Sequence, residues 1–185
     1  MPTPPPDASV RAAAREGLEG DRMAAWRGFI GAHARVLANL SHELQEEESL
    51  PLTWYDVLVQ LSEADEHRLR MQDLAARVLL SQSGLTRLVD RMEDAGLVER
   101  VRCAEDGRGL NAQLTPDGLD ALRRTYPTHL RGVRTWFSDL LSDEEAAVLA
   151  RVLDRIAKHA RPSAGPEGTG STDGLSRGER GGAAR

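Results

Sequence analysis

The 185 residues amount to about one domain of chain, 40% hydrophobic but only 4% aromatic, so leucine, valine and alanine must fill the core and helices are favoured over a β-sandwich. A net charge of −5, from 24 basic and 29 acidic residues, excludes a uniformly basic surface. The single Cys103 excludes an intrachain disulfide and leaves no cysteine-based zinc site, and no 18-residue apolar run is present to span a membrane.

Residues 1–20 are rich in Pro, Gly and Ala and lack a basic-then-apolar leader pattern, so they are expected to be poorly ordered and the protein cytoplasmic. Trp26, Phe29, Ile30, His33, Val36, Leu37, Leu40 and Leu44 then recur at spacings of three and four, which predicts a long amphipathic helix over about 22–48. Leu50-Pro51 stops it, and Thr53 is placed to cap a second helix carrying Trp54, Val57, Leu58 and Leu61. A short extended stretch over 67–70 leads into a helix at Met71, a turn at Leu79-Leu80, and a further helix capped by Ser81. In that helix Leu85, Leu88, Val89 and Met92 face inward, and Gly96 suits the left-handed position that ends it.

Alternation predicts a strand over 98–103, a turn cluster at 105–109 and a returning strand over 110–114. Thr115-Pro116 supplies a cap and a first-turn proline for another helix, with a kink expected at Pro127. Ser142-Asp143-Glu144-Glu145 reads as a capping box before a last helix that buries Leu149, Val152, Leu153 and Ile156. Residues 161–185 are Gly-, Ser- and charge-rich and are expected to be disordered. The fold class is therefore mainly α with a small β-wing: a winged helix-turn-helix over about 53–115, flanked by helices over 22–48 and 116–160 that are too apolar to stand alone. Their expected cover is each other and a second copy of the chain, as a homodimer.

Five segments in order carry a family resemblance. Leu52-Thr53-Trp54-Tyr55-Asp56-Val57-Leu58, Met71-Gln72-Asp73-Leu74-Ala75, the run from Ser81 through Arg100, Asp106-Gly107-Arg108, and Leu114-Thr115-Pro116-Asp117-Gly118 together resemble the MarR-type transcription regulators over roughly residues 26–160. The resemblance implies a triangular homodimer on a pseudo-palindromic operator in double-stranded DNA. It also implies repression of nearby genes, relieved by a small aromatic or phenolic ligand or by an oxidant.

With Leu85, Leu88, Val89 and Met92 inward, the opposite face of the recognition helix carries Gln82, Ser83, Thr86, Arg87 and Arg91 toward base edges or phosphates, beside Asp90. Ser81 leaves backbone N–H groups near the groove. Arg108 at the hairpin tip suits a narrow minor groove, Asp106 a pairing that holds the wing, and Arg100 and Arg102 phosphate contacts. Residues 67–117 carry eight arginines against eight acids, so Asp90 and Glu93 must turn away from DNA.

Candidate ligand-lining residues are Trp26, His33, Trp54, Tyr55 and Asp56, although aromatics at helical spacing equally serve as core. Cys103 on a wing strand reads as passive, since the oxidant sensors of the family carry their cysteine near the first helix. The acidic run 43–48 reads as a solvated helix end. His33, His42, His67, His129 and His159 have no metal-ligand spacing, so neither metal nor cofactor is expected. No phosphate loop, Gly-x-Ser-x-Gly or His-Glu-x-x-His points to an enzyme. The competing reading is a winged-helix adaptor for proteins, supported by the overall acidity and by Asp90, Glu93 and Asp94.

Overall fold

The computed structural model describes residues 20–102 and 109–160. Cys103, Asp106, Arg108 and the two expected disordered ends lie outside the described residues. In chain order the elements are α1 (Asp21–Glu48), α2 (Leu52–Ser62), a 3-10 turn (Asp65–His67), β1 (Arg68–Arg70), α3 (Met71–Arg77), α4 (Gln82–Asp94), β2 (Val98–Arg102), β3 (Leu110–Leu114), α5 (Pro116–Trp136), a second 3-10 turn (Ser138–Leu140) and α6 (Asp143–His159). The chain divides into two compact units, the first ending at Ser142 and the second containing α6.

The local signals behave as their chemistry requires. Ser81 Oγ accepts the Gly84 N–H at 3.1 Å, and Thr115 Oγ1 accepts that of Gly118 at 3.0 Å, each cap contributing about 1 kcal/mol. Gly96 takes φ +74° just past the end of α4, as its lack of a Cβ allows. The start of α2 differs from expectation. Pro51, not Thr53, is its cap, and its carbonyl accepts the N–H groups of Trp54 and Tyr55, so the helix begins at Leu52. The end of α1 falls at Glu48 as expected, where Ser49 turns left-handed with φ 54° ahead of Pro51.

The three strands form one antiparallel sheet in the order β1-β3-β2, with Arg68 opposite Gln113 and Arg100 opposite Ala112. The core lies between this sheet and the helices around it. Leu58, Leu61, Leu74, Leu85, Val89, Met92 and Val98 are fully buried there, which confirms the inward face of α4.

α5 packs along α1. It runs uninterrupted through Pro127, where a kink was expected. Proline removes the donor for the Arg123 carbonyl, but both residues are exposed, so water can take the donor's place. The acidic end of α1 is not merely solvated. Glu48 accepts from Thr128 Oγ1 at 2.9 Å, Glu47 pairs with Arg131 at 2.6 Å, and Glu43 Oε1 accepts from Trp136 Nε1 at 2.7 Å. Gly132 lets the helices close, since a Cβ there would sit 2.5 Å from Glu43 Oε2 and 2.6 Å from Leu40 Cδ2.

The last helix departs from expectation. In α6 none of Leu149, Val152, Leu153 and Ile156 is buried; the first three are half-buried and Ile156 is 50% exposed. The three-to-four periodicity gave the helix correctly, but not the burial of its apolar stripe.

Candidate nucleic-acid interface

α4 is amphipathic, and burial of its Leu and Val face dictates what its other face presents. Ser81, Gln82, Ser83, Thr86, Arg87, Asp90 and Arg91 are all exposed. Three of the short side chains are held locally: Thr86 Oγ1 donates to the Gln82 carbonyl at 2.9 Å, and the Ser83 and Ser81 hydroxyls lie 3.3 Å apart. Arg91 Nε donates to the Arg87 carbonyl at 3.3 Å. Among the described residues neither Arg87 nor Arg91 makes an ion pair, so both guanidinium groups are available to an anion.

Arg100 is placed differently. Its side chain is only 19% exposed and lies against α4, where Nη2 reaches Asp90 Oδ1 at 2.6 Å and the Thr86 carbonyl at 3.2 Å, and Nη1 pairs with Glu93. Glu93 Oε1 also accepts the Arg100 backbone N–H at 3.0 Å. The acids that sequence alone leaves facing the groove are thus already paired. Asp106 and Arg108 lie outside the described residues.

A cleft of about 240 Å³ opens beside the recognition helix, lined by Arg70, Met71, Gln72, Gln82, Thr86, Gly109 and Leu110. Gln72, exposed at the start of α3, was missed by sequence reasoning. It meets Gln82 and Thr86 at this cleft through the packing of α3 on α4, which no local spacing signals.

A larger cleft, about 550 Å³, lies between α2, the α3–α4 turn and α5. Tyr55, Asp56, Val59 and Gln60 line it from α2, Arg77 from the end of α3, Val78 and Leu79 from the turn after it, and Tyr126, His129, Leu130 and Val133 from α5. Trp26, His33 and Trp54 do not line it. Trp26 is 55% exposed and begins a tilted aromatic row through Phe29 to His33 along α1, while Trp54 packs half-buried on the core. Leu79 stands at the mouth, 91% exposed with a left-handed φ of 55°.

The cleft shifts the acidity of its groups. Burial pushes the Tyr55 phenol up to about 12, helped by Tyr126 and Asp56. Burial also raises the Asp56 carboxyl and lowers His129. The His129 and Tyr55 rings sit 4.3 Å apart, and His129 Nδ1 is buried without a hydrogen-bond partner.

A lowered histidine favours the neutral ring in the folded state. Its contribution to stability is therefore present above the ordinary value of 6.5 and is lost as pH falls through 6.5 toward the folded value. Asp56 has the opposite sign: its contribution is present below its ordinary value and lost as pH rises through the folded one. Unfolding free energy measured by denaturant titration should accordingly fall between pH 7.5 and 6, less steeply in His129→Gln. An unchanged slope in that variant would show that His129 is not desolvated in solution.

Comparison with known proteins gives this arrangement its relatives. The MarR family model matches residues 48–109, which take in α2, the helix-turn-helix and β2. The crystal structure of AbsC, a MarR family transcriptional regulator from Streptomyces coelicolor, is 39% identical with a TM-score of 0.74, covering 78% of this chain and 97% of that one. Sco3205, a MarR family regulator from the same organism solved in complex with DNA, is 35% identical with a TM-score of 0.75, covering 79% of this chain and 91% of its own. An HTH-type transcriptional regulator of Bacillus cereus is 29% identical over 128 residues, 69% of this chain and 84% of that protein. The relatives are transcription regulators rather than enzymes, and the chain belongs to the MarR family of transcription regulators.

Proposed function

We propose that two copies of this chain bind a pseudo-palindromic operator and repress the adjoining genes in the cytoplasm. The carrying observation is the face of α4, where Gln82, Ser83, Thr86, Arg87 and Arg91 are exposed opposite a fully buried apolar face. α4 lies in the major groove with Gln82, Ser83, Thr86 and Arg87 toward base edges, while Arg91 and the Ser81 cap meet phosphates. The resemblance of Asp106-Gly107-Arg108 to the family's wing tip supports a minor-groove contact for Arg108 and a wing-holding role for Asp106.

Two apolar surfaces support a dimer: Trp26, Phe29 and Ile30 on α1, and Val148 and Ile156 on α6, each at least 43% exposed in the single chain. The 550 Å³ cleft supports a small aromatic or phenolic ligand, which acts by binding the DNA-incompetent arrangement more tightly. The adaptor reading loses its main local support, because Asp90 and Glu93 are bound by Arg100.

The test is binding to a labelled duplex from upstream of the protein's own gene, against random competitor, at two salt concentrations. Complexes that survive competitor and weaken steeply with salt are expected. No preference for that duplex at either salt would sink operator binding at its own promoter.

A further inference from the structure

We propose that Arg100 is a positioning residue that neutralises Asp90 and Glu93 so that α4 can approach DNA, and is not itself a phosphate contact. This rests on the DNA-binding reading above. α4 carries Arg87 and Arg91 against Asp90, Glu93 and Asp94, a net of −1 on the helix meant to face a polyanion. Arg100 on β2 brings that to zero.

The geometry commits the guanidinium to this task. A planar fork has donors in fixed directions, and three of the five are spent here on the Asp90 carboxylate at 2.6 Å, the Thr86 carbonyl at 3.2 Å and the Glu93 carboxylate. Glu93 in turn takes the Arg100 backbone N–H at 3.0 Å, which ties the strand to the helix. The arginine is 19% exposed, while Asp90 is 53% and Glu93 38% exposed, so the cation lies deeper than the acids it serves. Swinging it out to a phosphate would abandon two carboxylates beside the groove. At physiological salt, charges within about 8 Å of a phosphate are not screened away, so both would repel the DNA.

Neutralisation makes a prediction that a direct contact does not. If Arg100 acts through the acids, it becomes dispensable once they are uncharged. The experiment is a double-mutant cycle on operator binding, with Arg100→Ala in the wild type and in an Asp90→Asn/Glu93→Gln background, each checked by thermal melting. Arg100→Ala should weaken binding about tenfold or more in the wild type and less than about threefold in the carboxamide background, a coupling in the range of interacting neighbours. The carboxamide pair alone, with Arg100 kept, should bind at least as tightly as wild type.

Equal losses in both backgrounds, with the salt slope reduced by about one, would overturn the proposal in favour of a phosphate contact. Weaker binding by the carboxamide pair would also overturn it, by giving the acids a role of their own. That arm can overturn the proposal even if Arg100→Ala fails to fold. If the wild type does not prefer operator DNA, the DNA-binding reading fails; if it does and no coupling appears, only the assignment of Arg100 fails.

Discussion

Replacing Gly118 with alanine should destabilise the protein more than any other single methyl group added here. A Cβ at Gly118 would lie 2.0 Å from the Leu97 carbonyl oxygen and 2.8 Å from Leu114 Cδ1, far inside contact distance. The carbonyl cannot step aside cheaply. It accepts the Thr115 N–H at 3.2 Å, while the Leu97 N–H is held by the Met92 carbonyl at 2.9 Å. Thr115 is fixed as well, since its hydroxyl donates to the Gly96 carbonyl at 2.7 Å and accepts from Gly118 itself. One methyl therefore strains the end of α4, the start of α5 and the cap joining them. Overpacking together with a weakened cap amounts to about 3 kcal/mol. That corresponds to a fall in Tm of roughly 6–12 °C for a chain of this size. Asp117→Ala, one residue earlier and exposed, loses only a favourable charge at a helix N-terminus, about 0.5 kcal/mol. Melting both variants by circular dichroism checks the claim. Equal, small shifts would mean that the Leu97 backbone yields, and that glycine is not required for close approach.

The largest functional effect is expected at Arg87. It is exposed in the second turn of α4, makes no ion pair among the described residues, and shares a face with Gln82, Ser83 and Thr86. A bidentate contact to a guanine edge is worth about 1–3 kcal/mol of discrimination, so Arg87→Ala should weaken operator binding by roughly 5- to 150-fold. Melting should be unchanged, because the side chain supports no buried contact. The effect on random duplex separates the two uses of an arginine. A base contact lowers operator affinity and spares non-specific binding. A phosphate contact lowers both and reduces the salt slope by about one. We expect the first pattern. Binding of the variant at wild-type strength would remove α4 from the groove and with it the proposed mode of recognition.

Gly118 also shows why sequence reading succeeded where it did. Thr115-Pro116-Asp117-Gly118 marks a helix start from residues one to three apart, as Ser81 with Gly84 and Ala95 with Gly96 mark the ends of α4. Capping, left-handed turns and the three-to-four repeat of apolar residues are short-range physics, carried within windows of a few residues. They determined the element order, the buried face of α4 and, by exclusion, the polar face offered to DNA. They were less secure where two local signals competed, as at α2, where Pro51 rather than Thr53 became the cap.

What only the tertiary structure decided depends on residues brought together across long stretches of chain. Arg100 meets Asp90 and Glu93 because β2 folds back along α4, and no spacing rule tells a phosphate-binding arginine from one spent on a neighbouring helix. The acids at the end of α1 meet Thr128, Arg131 and Trp136 across 80 to 93 residues. The large cleft took Tyr55 and Asp56 but not Trp26, His33 or Trp54, since helical rotation and the packing of α5 choose which aromatics line it. The sequence alone established that α6 has an apolar stripe, and the fold left Leu149, Val152, Leu153 and Ile156 unburied. Periodicity reports that a face is apolar, whereas only the placement of every other element reports what covers it.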